Sequence, residues 1–378
     1  MKKICLVTTT PLIVNFFLRA HFASLGRHYD LTLVVNTDDR SFLSDTGFSV
    51  TVVPVAIERQ VSLFRDVLAL IRLAGLFASQ RYAAVHSVSP KAGLLAMLAA
   101  WIARVPVRIH VFQGEVWVTR KGIFRWFLKY LDRLVARLAT HVLVVSRSER
   151  DFLVQESIIR STNSRVLGDG SISGVDLKRF RPDPAARAAV RRELGIGPDS
   201  TVFLFLGRMT RDKGVLDLAQ AFASLAALHP AAVLLWVGPD EERMRSRIES
   251  ICGAHAVNLR FVDYTRTPER YIAAGDALCL PSYREGFGVV IIEAAAAGIP
   301  ATGSRIYGIT DAIIHGETGL LHAPADPKDL AEKMGMLLED PALRERLGAR
   351  ARQRAVNQFS QERLTQALLD YYREVLGE

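Results

Sequence analysis

The sequence predicts an α/β protein made of two doubly wound parallel-sheet domains facing a central cleft. Three observations carry this prediction. Short runs of Val, Ile and Leu alternate with longer helical patterns, as in a parallel sheet covered on both faces. The pattern restarts after residues 168–184, GDGSISGVDLKRFRPDP, a Gly-, Pro- and Asp-rich stretch that reads as a linker. The length, 378 residues, suits two domains at about 100–200 residues each.

In the first half the expected strands are KICLVTTT (3–10), DLTLVVNT (30–37), FSVTVVPV (48–55), YAAVHSVS (82–89), VRIHVFQG (107–114) and HVLVVS (141–146). The stretch 61–81 has apolar residues at three- and four-residue spacing and is expected to be helical. In the second half the expected strands are TVFLFLG (201–207), AVLLWVG (232–238), LRFVDY (259–264), ALCLPS (277–282) and IPATGS (299–304). Each half is Rossmann-like. Ligands of such open sheets bind outside the carboxyl ends of strands, so the cleft is the expected site. The expected division is 1–172 for the first domain, 173–358 for the second and 359–378 for a terminal helix.

Composition narrows the function. A chain 49% hydrophobic and 23% charged is neither disordered nor fibrous. Three distant cysteines without a C-x-x-C pair argue against a disulfide framework and fit a reducing cytoplasm. The nine histidines are scattered, with no H-E-x-x-H and no other tight ligand spacing. Charge is lopsided. Up to residue 172 there are 22 Lys+Arg against 12 Asp+Glu, and from 173 onward 26 against 27. A basic first half points to an anionic partner. No secretory signal opens the sequence, and the longest uncharged apolar run, 92–103, is 12 residues where a span needs roughly 20.

Two segments of the second half can carry chemistry. After the strand ending at Gly207 comes RMTRDKG, where Arg208 and Lys213 place two cations beside a helix N-terminus. Cations, free N–H groups and a helix dipole suit a diphosphate; an ordinary solvated turn is the alternative. The second segment is PSYREGFGVVIIEAAAAGIP, 281–300. Gly286 and Gly288 allow close backbone approach, and the helix that follows offers free N–H groups. Glu293 lies inside an otherwise apolar helix. There it can accept bonds from two adjacent ribose hydroxyls, or form an internal ion pair with an arginine. Glu285 could hold sugar hydroxyls in the same way.

Glu285 and Glu293 form E-x7-E, flanked by P-S and G-F-G. With G-R-x4-K-G from Gly207 and G-V-D-x3-F from Gly174 to Phe180, the chain resembles the retaining glycosyltransferases of family 4. The resemblance is specific from about Gly174 to Glu317. In the first half it is architectural, apart from RIHVFQG. It implies the GT-B fold, with the last helix crossing back onto the first, acceptor-binding domain, and a nucleotide-sugar donor, most naturally a UDP-sugar, on the second. It assigns Arg208 and Lys213 to the donor diphosphate, with Gly207 beside them, and Glu293 to the ribose. Gly238, Val262 and Val289 fall to the nucleotide. Glu285, Gly286, Phe287 and Gly288 fall to the transferred sugar, with Glu285 counted among the catalytic residues beside the two cations. No bound metal or other cofactor is implied. The sequence departs from the family at the end of RIHVFQG. Many relatives have a histidine before the glycine; here Gln113 stands there, and is expected beside the donor sugar. His110 falls on the opposite strand face and is expected to be packed.

Residues 119–140 form a basic amphipathic pattern, with Arg120, Lys121, Arg125, Lys129, Arg133 and Arg137 recurring about once per turn. They fit an anionic membrane interface, with an ordinary surface helix as the alternative. Many members of the family extend lipid-linked glycans. The expected enzyme is therefore a hexosyl- or N-acetylhexosaminyltransferase acting on a glycan acceptor, such as a polyprenyl-diphosphate-linked sugar in surface polysaccharide assembly. It is expected in the cytoplasm, on the inner face of the membrane. A GT-B nucleotide-sugar epimerase is the rival enzyme. A nucleic-acid-binding protein is favoured by the basic half alone, without any matching motif, and no nucleic-acid partner is expected.

Overall fold

The computed structural model describes residues 1–39, 41–43, 50–58 and 62–378, and for Phe16 and Phe17 the backbone only. The chain divides into two compact units: Met1–Ser173 together with Gln361–Glu378, and Gly174–Ser360.

The first unit begins with β1 (Lys3–Val7), then α1 (Pro11–Ile13) and α2 (Arg19–Leu25), bridged by one π-helical turn. Next come β2 (Asp30–Val35), β3 (Val50–Pro54), α3 (Leu63–Gln80), β4 (Ala84–Val88), α4 (Pro90–Ile102) and β5 (Val107–Phe112). α5 (Gly122–Leu138), β6 (His141–Val144), α6 (Arg147–Gln155) and the short β7 (Ser164–Arg165) complete it. The strands form one sheet in the order β3-β2-β1-β4-β5-β6-β7, and every neighbouring pair is parallel. The expected strand 3–10 ends early. Pro11, without an N–H to give a ladder, fits the first position of a helix instead. The start of the expected strand 48–55 and of the expected helix 61–81 lies outside the described residues.

The second unit contains α7 (Pro184–Glu193), β8 (Val202–Leu206), α8 (Val215–Leu228), β9 (Val233–Val237), α9 (Arg245–Cys252) and β10 (Leu259–Val262). α10 (Pro268–Ala274), β11 (Ala277–Leu280), α11 (Val289–Ala296), β12 (Ala301–Ser304), α12 (Ile309–Ala312) and β13 (Gly319–His322) follow. α13 (Pro327–Glu339) and α14 (Pro341–Gln358) close the unit. Its parallel sheet runs β10-β9-β8-β11-β12-β13. β13 and β7 were not expected from the sequence. They are four and two residues long.

Each unit has its own core. Phe77, Val85, Phe112 and Trp117 pack in the first, and Phe203, Phe205, Trp236 and Phe222 in the second. The last helix, α15 (Gln361–Leu376), packs on the first unit and buries Leu364, Leu368, Leu369 and Tyr372. Two buried histidines pin it. His21 Nδ1 lies 2.8 Å from Thr365 Oγ1, and His86 Nδ1 lies 2.5 Å from the Tyr372 hydroxyl. Burial pushes the His86 pKa down to about 3, so it pins the helix as a neutral ring.

Candidate active site

In the second unit the sheet order reverses between β8 and β11, and the two loops leaving those strands carry the motif residues. This topological switch point is where an open α/β sheet leaves a ligand-sized crevice. The first loop runs from Gly207 into a single 3₁₀ turn, Arg211–Lys213, and then α8. The second runs from Pro281 to Gly288, the N-cap of α11.

Side chains tie the two loops together. Lys213 Nζ donates to Glu285 Oε1, and Ser282 Oγ donates to the same oxygen at 2.8 Å. Tyr283 N–H donates to the Asp212 carbonyl at 2.8 Å, and its hydroxyl donates to Asp217 Oδ2 at 2.7 Å. Arg284 reaches Asp212 Oδ2 at 3.3 Å. Gly214 makes the approach possible. It sits at φ 67°, and a Cβ there would fall 2.0 Å from the Pro281 carbonyl oxygen. The outcome is a fixed cation, Lys213, held against a fixed carboxylate, Glu285, both mostly buried.

Arg208 has an acidic partner of its own. Its guanidinium donates to Glu241 at 2.8 Å, and both side chains are about 40% exposed (42% and 39%). At the neighbouring strand ends the backbone comes forward without side chains. Gly207 N–H bonds the Val237 carbonyl and Gly238 N–H bonds the Val262 carbonyl, each at 2.9 Å. Val262 closes β10 and Val289 opens α11; both are half-buried.

Gly286 and Gly288 are buried on the second loop. The Phe287 ring is buried too, packed edge-on against Phe359 with centroids 5.2 Å apart. It anchors the loop from beneath, so Phe287 can offer a ligand its backbone but not its ring. Glu293 lies one turn into α11. Among the described residues no side chain bonds its carboxylate. Burial raises its pKa to about 7; Arg179, itself bonded to Glu269 at 2.7 Å, pulls the value down, and Glu269 pushes it up. The expected alternative of an internal ion pair is therefore not realised, since Arg179 acts only at range. A half-buried carboxylate with no internal partner is one that a ligand's hydroxyls can satisfy.

In the first unit Gln113 follows β5 and is half-buried. His110 points into the core. It is 2% exposed, its Nδ1 lies 2.8 Å from Ser87 Oγ, and burial lowers its pKa to about 3. Its ring covers Gly93 so closely that a Cβ there would lie 2.3 Å from the ring. One residue here escaped the sequence reading. Glu149, fully buried on α6, accepts the Gly114 N–H and so holds the turn next to Gln113. Burial first, then the charge of Glu115, raises its carboxyl well above the ordinary range. The signal was present: Ser146-Arg147-Ser148-Glu149 is an S-x-x-E capping pattern, and Ser146 Oγ does accept the Glu149 N–H at 3.2 Å. The roles of Ser282, Tyr283 and Asp217 also went unread, because they arise from contacts between separate loops.

Residues 186–354 match the family described as "Glycosyl transferases group 1", and residues 18–170 match that described as "Glycosyl transferase 4-like domain". The chain is 29% identical over 347 residues to the capsular polysaccharide biosynthesis glycosyltransferase CapM of Staphylococcus aureus, covering 91% of this chain and 90% of that one. The chain is a glycosyltransferase of GT-B type. The UDP-Gal:alpha-D-GlcNAc-diphosphoundecaprenol alpha-1,3-galactosyltransferase of Escherichia coli is 24% identical to this glycosyltransferase over 84% of the chain and 82% of its own. Among solved structures, Anabaena HepE in complex with UDP and glucose superposes with a TM-score of 0.82 at 17% identity, covering 99% of this chain and all of that one. At that identity the superposition speaks for the fold alone.

Proposed function

We propose that this glycosyltransferase is a retaining enzyme of family 4. It moves a sugar from UDP to a polyprenyl-diphosphate-linked glycan during assembly of a bacterial surface polysaccharide. The observation that carries this reading is the cross-tied pair Lys213–Glu285 at the switch point of the second unit, with the unsatisfied Glu293 one turn beyond. A capsular relative over nine-tenths of the chain, and a relative whose name gives a UDP-sugar donor and a diphosphoundecaprenol acceptor, support the choice of donor and acceptor.

Donor binding follows from charge. The diphosphate takes Lys213 as its cation, and Arg208 exchanges Glu241 for phosphate oxygens. Glu293 accepts the two ribose hydroxyls. Released from Lys213, Glu285 keeps its bond from Ser282 and turns its free lone pairs to the sugar hydroxyls. As the bond from sugar C1 to the β-phosphate oxygen breaks, electrons collect on that phosphate. A fixed cation there lowers the barrier without reorganising. The acceptor hydroxyl oxygen bonds to C1 from the leaving-group face, and the departing phosphate takes the hydroxyl proton. The configuration at C1 is kept, and these cations do the work a metal would do. Gln113, which has no useful basicity near neutral pH, hydrogen-bonds donor sugar or acceptor.

The same reading places the enzyme on the inner face of the cytoplasmic membrane through the basic first unit. No described helix is long and apolar enough to cross a membrane. Arg120 and Lys121 just before α5 and Arg125 and Arg137 along it are exposed, whereas Lys129 is bonded to Glu156 and Arg133 to the carbonyls of Ser157 and Glu156.

A donor screen tests the proposal. UDP-, GDP- and ADP-sugars are offered with polyprenyl-diphosphate-linked acceptors, and the product's anomeric configuration is read by NMR in the presence of EDTA. A retained configuration from a UDP-sugar, insensitive to EDTA, is expected. Conversion of the donor without acceptor would return the epimerase reading.

A further inference from the structure

We propose that two helices rather than one enter the lipid: the first turns of α3 and α5 form a paired insertion edge of the first unit. This rests on the peripheral-membrane reading above and says which residues carry it.

α3, α4 and α5 each leave the carboxyl end of one parallel strand and return to the start of the next. They therefore run side by side in one direction. α3 packs on α4 and α4 on α5, so α3 and α5 flank α4 with their N-termini at the same edge of the sheet. That is also the edge where Gln113 follows β5. Both flanking helices overhang the core. In α3 the first buried residue is Ala69; Leu63 and Phe64 before it are 81% and 82% exposed. In α5 the first is Val135; Ile123 and Trp126 are 89% and 68% exposed. Over the first half of each helix the exposed apolar side chains lie on one broad face: Leu63, Phe64 and Val67 on α3, and Ile123, Trp126 and Phe127 on α5.

Charge selects the occupant: Arg120, Lys121 and Arg125 are exposed at the start of α5 and Arg72 farther along α3, within a half of the chain that carries the whole positive excess. Apolar turns edged by cations fit an anionic lipid interface, with the rings in the acyl boundary and the cations among head groups. A lipid-linked acceptor would then meet the protein at the sheet edge that carries Gln113.

The test uses the full chain with phosphatidylglycerol–phosphatidylcholine vesicles. Leu63→Gln/Phe64→Gln leaves the charge unchanged, and so does Ile123→Gln/Trp126→Gln. Each pair is expected to weaken vesicle partitioning at least about tenfold and both together to abolish it, with circular dichroism and melting temperature unchanged because these side chains are mostly exposed. Since Cys5, Cys252 and Cys279 are buried, an environment-sensitive dye can be placed at single new cysteines. Leu63→Cys and Ile123→Cys should report an apolar surrounding on vesicles. Ile102→Cys, at the far end of α4 and 50% exposed, should remain in water. If wild type binds vesicles and the α3 pair makes no difference, the two-helix edge is wrong while the membrane reading survives. If wild type does not bind vesicles, both fall. If the same substitutions instead dissolve a dimer of a protein that ignores lipid, the edge belongs to a second copy of the chain and the proposal is overturned.

Discussion

The two units share one architecture but hold their chemistry differently. In Gly174–Ser360 the important side chains are locked to one another: Lys213, Ser282 and Glu285 converge on one oxygen, and Tyr283 and Arg284 tie the same loops. In Met1–Ser173 the charged and apolar groups that have no role in the core are spread over a surface, and the strand end at Gln113 is held from behind by Glu149. A small anionic ligand of constant shape demands fixed local geometry, which a short motif can encode. A varied or lipid-borne partner demands a surface, which is encoded by exposure and charge over many residues. Breaking each unit in its own way tests that contrast.

The largest effect is expected at Lys213. Lys213→Ala removes the half-buried cation of the switch point and leaves Glu285 with Ser282 alone. Turnover should fall by a factor on the order of 10²–10³, as when a preorganised charge is deleted from a developing oxyanion. The melting temperature should change little, because three other ties hold the loops. Near-normal steady-state turnover in a folded variant would remove Lys213 from the reaction.

How much of this was legible beforehand follows from the same physics. The central strands were readable because runs such as VFLFL and VLLWV are buried on both faces and leave no room for polar residues. The motif loops were readable because glycine and charge sit at fixed spacing. What could not be read is whatever depends on a partner distant in sequence. Arg208 shows this: its spacing matched a diphosphate ligand, but the partner it has in the structure is Glu241. Phe287 shows it again, since G-F-G looks like a ligand loop and only packing reveals the ring turned to Phe359. In α3, three- and four-residue spacing describes a buried stripe but does not say that the helix begins beyond the core.

The next effect separates His110 on β5 from Gln113 just after it. Gln113→Ala should cost about 1–3 kcal/mol of transition-state stabilisation, roughly ten- to a hundredfold in kcat/KM, as one lost hydrogen-bonding partner does. His110→Ala should do the opposite. It empties a space packed against Gly93 and strands Ser87, so stability should drop by about 2–4 kcal/mol while kcat/KM at low temperature is kept. A folded His110→Ala variant without activity, beside an active Gln113→Ala, would reverse the two assignments.

A smaller effect is expected from pH. Glu293 has its folded-state value raised to about 7, above the 4.5 of an ordinary glutamate. Between those values the folded chain holds a proton that the unfolded chain has lost, so stability falls as pH rises through the window and the full cost is present above 7. Glu293→Gln should therefore raise the melting temperature at pH 8 and leave it unchanged at pH 4. Ribose binding runs the other way, because two hydroxyl donors need the ionised carboxylate. Affinity for an unreactive UDP-sugar analogue, whose diphosphate does not titrate here, should fall several-fold from pH 8 to pH 6, roughly in step with protonation. Isothermal calorimetry should show this slope in wild type and none in Glu293→Gln. Equal slopes would mean that the ribose does not use Glu293.

The smallest effect concerns the ion pair that must open. Arg208 and Glu241 are bonded at 2.8 Å but half in water, and such pairs are worth about 0–1 kcal/mol. If Arg208 leaves Glu241 for the donor diphosphate, that small energy opposes binding. Glu241→Gln keeps the shape and removes the competing charge. It should lower the donor KM by about two- to fivefold at low salt, with kcat nearly unchanged, and the gain should shrink as salt screens the exposed pair. Arg208→Ala should cancel the benefit, so that adding Glu241→Gln to it changes nothing. A double-mutant cycle on donor KM reads this directly. Additive effects would show that Arg208 stays with Glu241 throughout, leaving Lys213 as the one cation of the pair that reaches the diphosphate.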